Sequence, residues 1–176
     1  MMDLLPFCTR IGRRPDLETP FSRGDHTYAT NSHILVRVPR RDDVTREDGP
    51  TMTQIEFPDH ATIAWRPLRQ FTPPAEALRD CDDCGGTGRR HKCPDCHCAC
   101  ATCNATGKIL GYASVNIGAA IFDVKYAVML AALPGIEVPV DFDADYSTPM
   151  PFRFDGGDGL LMAMRYRAPT HLEGGL

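Results

Sequence analysis

Between positions 81 and 107 the chain reads CDDCGGTGRRHKCPDCHCACATCNATG, a stretch that holds seven of its eight cysteines. Three CxxC pairs stand in it: Cys81 with Cys84, Cys93 with Cys96, and Cys100 with Cys103. A CxxC pair offers two thiolates to one ion because two intervening residues let the chain turn back on itself, and zinc takes four such soft or borderline donors in a tetrahedron. Cys98, His91 and His97 are further donors within the same stretch. Glycine after the second cysteine permits positive φ, which lets backbone N–H groups point at sulfur, and Gly86 and Gly88 suit that role. The reading is therefore a zinc-binding segment holding one or two ions. So short and polar a segment has almost no core, so that binding the ion is also what folds it. All-thiolate sites are normally closed, whereas a catalytic zinc keeps an open position, so the ion is a staple and not a catalyst.

The first eight residues, Cys81 to Gly88, have the form CxxCxGxG, and Cys100 to Gly107 repeat it with Ala105 in place of the first glycine. In this the segment resembles the cysteine-rich domain of DnaJ-type co-chaperones, which repeats the motif four times and binds two zincs, outer motifs paired with each other and inner with inner. The resemblance covers about 27 residues. It implies one zinc on Cys81, Cys84, Cys100 and Cys103, and leaves Cys93 and Cys96 to find two more ligands among Cys98, His91 and His97. The competing assignment is a single zinc on Cys81, Cys84, Cys93 and Cys96. The middle of the pattern is compressed and lacks one full repeat. The chain has no His-Pro-Asp tripeptide and no glycine/phenylalanine-rich linker, so only the zinc module of such a co-chaperone is shared.

Composition bounds the rest. The 176 residues are 43% apolar, enough for a real core, and the net charge of −4 gives no overall pull toward nucleic acid or anionic membrane. Positions 109–176 carry the acidity, with four basic residues against eight acidic ones. No secretory signal is visible, and no window approaches the roughly 18 apolar residues of a membrane helix. The expectation is a cytoplasmic protein without membrane contact, in a reducing compartment where clustered CxxC pairs favour metal over disulfide.

The elements around the cysteines read as α+β. A short helix over 1–9, a hairpin of half-buried strands over 26–38, a charged mobile loop over 40–50, short strands at 54–57 and 62–65 and a helical turn at 76–80 are expected before the cysteines. After them come a strand at 112–117, a helix at 122–133 capped by Asp123, a strand at 136–142, and a hairpin of 152–155 with 159–166 across Gly156-Gly157-Asp158. A loose tail follows from 168. The order strand, helix, strand, strand, strand, with Phe122-Asp123-Val124-Lys125-Tyr126 opening the helix and Leu160-Leu161-Met162-Ala163-Met164-Arg165 near the end, resembles the last half-domain of a DNA sliding clamp. Tyr28 to Leu35 is similar to the clamp hairpin, with Asn31 for the usual Asp and Ile34 for the usual Arg. The resemblance implies one clamp-like domain built of βαβββ units. The expected division is 1–78 as its N-terminal half, 79–108 as a zinc-binding insertion and 109–176 as its C-terminal half. A clamp of the bacterial type has three such domains, and the 122–133 helix offers only Lys125 against Asp123, so threading of DNA is not expected.

Three functions compete. The first is a non-enzymatic zinc-binding protein that presents the module to a protein partner; a phage or prophage origin would suit it. The second is nucleic-acid binding, or a clamp-like role in replication, through Arg89, Arg90 and Lys92 on the zinc loop, with Arg13, Arg14, Arg40 and Arg41 as a further patch. The third is thiol–disulfide exchange. No Ser/His/Asp or Cys/His arrangement is placed by a recognisable motif, which argues against an enzyme. His26, His33 and His60 have no partner at ligand spacing, Cys8 reads as a buried thiol, and Asp141, Asp143, Asp145, Asp155 and Asp158 read as solvated turn residues.

Overall fold

In the computed structural model, residues 2–9, 14–50, 55–90, 98–142, 147–172 and 176 are described. Twelve strands and one α-helix make up the regular structure of these residues, apart from short 3₁₀ turns, so the fold is α+β with β dominant. No helix among them is long and apolar enough to cross a membrane.

The largest layer is a seven-stranded antiparallel sheet. Its strands are β1 (Phe21–Arg23), β2 (His26–Thr30), β3 (Ile34–Pro39), β4 (Trp65–Pro67), β9 (Glu137–Pro139), β10 (Met150–Phe154) and β11 (Gly157–Leu161), in the order β1-β2-β3-β11-β10-β9-β4. The sheet is joined at β3 and β11, where Ile34 to Arg37 pair with Leu161 to Asp158. Strands from before and after the cysteine segment thus share one sheet.

Alternation decides which face is core. Ile34, Val36 and Val38 point one way and pack with Val138, Met150, Phe152, Phe154 and Leu161 in one apolar cluster. The ring of Phe152 lies across its register partner Gly159, where a β-carbon would stand 2.2 Å from the ring. A second sheet covers this cluster. It consists of β7 (Ala113–Ile117), β8 (Ala120–Asp123) and β12 (Thr170–Leu172), ordered β12-β7-β8 with β12 parallel to β7. From it Phe122 enters the core, followed by Tyr126 and Leu130 of helix α1 (Val124–Ala131). The Asp123 carboxylate accepts from the Lys125 N–H at 2.9 Å and caps this helix, and Gly135 at φ +60 follows its end. Cys8 closes one edge of the core; burial pushes its thiol up to about 11, which suits an inert packing role.

The opposite face of the β3–β11 pair holds a polar cluster. Arg37 and Asp158 are register partners, and the guanidinium grips the carboxylate through Nε at 2.8 Å and Nη2 at 2.5 Å. His60 Nε2 stands 3.0 Å from the same carboxylate, and the Phe57 ring lies 3.6 Å from the guanidinium carbon. Asp158 is thus a buried ion-pair partner and not a solvated turn residue. Asp158→Ala leaves a largely buried guanidinium without its counter-charge. We expect this to cost about 3 kcal/mol, read as a lowered urea midpoint with unchanged m-value; a midpoint within error of wild type would contradict it.

Several expectations need correction. The N-terminal helix is only a 3₁₀ turn, Leu5–Phe7, because Pro6 leaves no N–H to extend it. Residues 55–57 are irregular, and what was expected as a strand at 62–65 is a 3₁₀ turn, His60–Thr62, followed by β4. The turn at 76–80 is a 3₁₀ turn, Ala75–Ala77, running into β5 (Leu78–Asp80). Phe122 and Asp123 belong to a strand, and the helix starts at Val124. The hairpin turns at Asp155-Gly156, and the tail contributes β12. The 40–50 loop is pinned to β1 by the Ser22 N–H donating to Arg46 O at 2.7 Å.

Candidate metal centre

The cysteine segment leaves and rejoins the rest of the chain through one ladder, β5 paired antiparallel with β6 (Lys108–Leu110). Immediately inside it lie two knuckles, Cys81 to Gly88 and Cys100 to Gly107. They repeat each other at an offset of 19 positions, in hydrogen bonds as well as in letters.

In the first knuckle the Thr87 N–H donates to Cys84 O at 3.3 Å across Gly85 and Gly86, both at positive φ (+59° and +81°). In the second the Thr106 N–H donates to Cys103 O at 3.0 Å across Asn104 and Ala105, also at positive φ (+49° and +65°). Both are turns whose two central residues are left-handed. Each threonine hydroxyl fastens its turn by donating to the same cysteine carbonyl, at 2.8 Å from Thr87 and 2.6 Å from Thr106. The Gly88 N–H donates to Cys84 Sγ at 3.3 Å and the Gly107 N–H to Cys103 Sγ at 3.2 Å. Gly86 supplies the expected positive φ, and its own N–H donates to Cys81 O.

The knuckles face each other. The Cys81 N–H donates to Gly107 O and the Cys100 N–H to Gly88 O, both at 2.9 Å. The Thr102 hydroxyl donates to the Asp83 carboxylate across the join. This brings Cys81 Sγ to 3.9 Å from Cys100 Sγ, and Cys84 Sγ to 3.8 Å from Cys103 Sγ. All four sulfurs lie within 4.8 Å of one another, positioned to coordinate a metal ion. Cys81, Cys100 and Cys103 are buried and Cys84 is half-buried.

The electrostatics separate the thiols. Burial pushes Cys81 up to about 11. Burial also raises Cys84, but the Gly88 N–H and the thiols of Cys103, Cys81 and Cys100 outweigh it and bring it down to about 7. Among described residues only Ile109 adds an apolar contact to the four cysteines, so the described part of the segment has no core without them.

Of the sequence-predicted ligands, Cys81, Cys84, Cys100 and Cys103 converge. Cys98 is exposed and outside the cluster. Cys93, Cys96, His91, His97 and Lys92 lie outside the described residues, as does Arg13. Arg89 and Arg90 are exposed at the exit of the first knuckle, where the Arg90 N–H donates to Cys98 O. Arg14, Arg40 and Arg41 are committed to Asp16, Glu47 and Asp43. Sequence reasoning missed Thr87, Thr106 and the Asp83–Thr102 link; the alignment of CDDCGGTG with CATCNATG holds the signal for the two turn threonines.

Ala105 pays for its place in the second turn with a left-handed φ. Ala105→Gly is expected to stabilise the knuckle by about 1 kcal/mol, seen as slower metal loss to a chelator. Faster loss would show that the turn is not strained there.

Compared with protein-family models, curated proteins and solved structures, the chain matches none.

Proposed function

We propose that the protein is a non-enzymatic zinc-binding protein whose cysteine module, stapled by one zinc on Cys81, Cys84, Cys100 and Cys103, presents a surface to a protein partner. The observation that carries the metal reading is the sulfur geometry. Four thiolates about 2.3 Å from a common zinc stand about 3.8 Å apart in a tetrahedron. The Cys81–Cys100 and Cys84–Cys103 pairs, at 3.9 and 3.8 Å, match that spacing before any ion is added. Four sulfur donors suit zinc, and two of them already receive backbone N–H bonds that disperse thiolate charge.

The site supplies four protein ligands and so keeps no position for a substrate or water, which supports a structural role. The rest of the chain forms an α+β scaffold. The order α1, β9, β10, β11 is the helix-then-three-strands order of a sliding-clamp half-domain, and it supports a clamp-like architecture without the basic helix that threading DNA requires.

Elemental analysis of freshly purified protein tests the metal reading. At least one zinc per chain, lost on exhaustive chelation and regained with zinc in preference to magnesium or calcium, is expected. Metal-free protein with a folded cysteine segment would sink it.

A further inference from the structure

A groove of about 430 Å³, with no knuckle residue in its lining, opens where helix α1 begins. His33, Tyr112, Lys125, Tyr126, Arg165 and Tyr166 line it. The two most exposed large apolar side chains among the described residues, Tyr166 at 71% and Tyr112 at 63%, both stand on it. Tyr126 and His33 form the floor with ring centroids 5.9 Å apart. The cations sit among the rings: Lys125 Nζ is 4.6 Å from the Tyr126 centroid and the Arg165 guanidinium carbon 5.6 Å from that of Tyr166. Arg167 is exposed just beyond. The one acid in the lining, Asp123, is 85% covered on its side chain, caps α1 and pairs with Lys125 at 3.1 Å.

The rings are held on rigid backbone. Tyr112 immediately precedes β7. The 162–164 segment is strung between the hairpin and the second sheet, with the Met162 N–H donating to His33 O at 2.8 Å and the Met164 N–H to Ile121 O at 2.7 Å. Two residues after Tyr166, the Ala168 N–H donates to the buried Ser114 hydroxyl at 3.0 Å. Stacking surfaces fixed in this way lose little entropy on meeting a planar ligand.

From this arrangement we infer that the groove binds single-stranded nucleic acid, with bases stacked on Tyr112 and Tyr166 and phosphates held by Lys125 and by Arg167 beside the groove. Exposed rings interleaved with cations are what a single strand needs, since every base offers a π-face and every linkage a negative charge. A paired duplex hides its base faces from such rings. Tyrosine and arginine also mark protein interfaces, but those centre on an apolar patch with charge kept to the rim. Here positive groups stand over the rings themselves, Lys125 on Tyr126 and Arg165 on Tyr166, in a chain whose net charge is −4. The inference does not rest on the zinc reading, and neither Arg89 nor Arg90 lines the groove.

The test is fluorescence anisotropy of a labelled oligothymidylate, and of a duplex of equal length, with the full metal-loaded chain at low and physiological salt. The single strand is expected to bind and the duplex to bind at least tenfold more weakly. Tyr112→Ala and Tyr166→Ala should each weaken the single-strand complex about 5- to 100-fold, while Tyr166→Phe keeps it. Arg167→Ala should reduce the slope of log affinity against log salt by about 0.7. Both rings are exposed, so unchanged thermal melting is expected to show that the variants fold. No binding at low salt, equal binding of duplex, or full affinity in both alanine variants overturns the proposal. Full affinity in the variants alongside duplex binding would mark an unspecific polyanion surface, and a peptide library competing only at the rings would mark a protein interface.

Discussion

Replacing Cys81 or Cys103 by serine should abolish tight metal binding and unfold the segment between β5 and β6. Structural zinc sites contribute about 10–16 kcal/mol of apparent binding free energy, which in a segment without a core is folding free energy. The described part of this segment packs only Ile109 against its cysteines. Losing one of four thiolates should therefore weaken zinc at least ~100-fold and expose the amides of Cys81, Gly86, Cys100 and Ala105 to rapid hydrogen exchange. The amides of β3 and β11 should stay protected, because their pairing and the Phe152–Phe122 core do not involve the cysteines of the knuckles. A serine variant that keeps one tightly held zinc would show that Cys93 or Cys96 can replace the lost ligand, and would count against the ligand set proposed above.

A second large effect is expected at residues that donate no side chain at all. Gly88 and Gly107 lie back to back with the opposite knuckle: a β-carbon on Gly88 would stand 2.2 Å from Ala105 O, and one on Gly107 would stand 2.1 Å from Gly86 O. Both obstacles are backbone, so no rotamer change relieves them. Both glycines also have positive φ, +72° and +73°. The left-handed conformation alone costs an alanine about 1–2 kcal/mol, and the overlap forces the knuckles apart on top of that. Gly88→Ala and Gly107→Ala should each weaken zinc more than tenfold with all four thiolates present. Gly85→Ala provides the comparison. It shares the left-handed φ, +59°, but a β-carbon there meets nothing within 4 Å. Its cost should stay near the conformational penalty, and competition with a chromophoric chelator can rank all three. Equal affinities for Gly85→Ala and Gly88→Ala would mean that the knuckles do not interlock as described.

The cysteine spacing made a metal site legible, and the repeat of Cys81 to Gly88 in Cys100 to Gly107 carried the information on which knuckles face each other. Without the co-chaperone resemblance, spacing alone left Cys93 and Cys96 as equal candidates, because CxxC geometry is local and says nothing about which pairs meet in space. The hairpin of β2 and β3, helix α1 and the hairpin of β10 and β11 were readable from alternation, helical spacing and Gly156. Less readable were segments whose partners lie far away in sequence. β12 looks like a loose polar tail until it finds β7, and Phe122 looks helical until β8 pairs with β7. Asp158 shows the same limit. It sits beside a turn and resembles a solvated residue, and only the register that sets it opposite Arg37 reveals its partner, 121 positions away. His60 reaches the same carboxylate from a turn that no strand pattern predicts.

The attachment of the cysteine segment through a single ladder has a consequence for chain statistics. For β3 to meet β11, a loop spanning the 121 positions between Arg37 and Asp158 must close. Closure entropy grows only as the logarithm of loop length, and the pairing of Leu78 with Leu110 takes the intervening stretch out of that loop. The difference is about 0.3 kcal/mol, small against the stability of a domain. The seven-stranded sheet therefore hardly registers whether that stretch is folded, unfolded or shorter by a knuckle, and such a segment is free to be gained, trimmed or exchanged without refashioning the sheet that carries it.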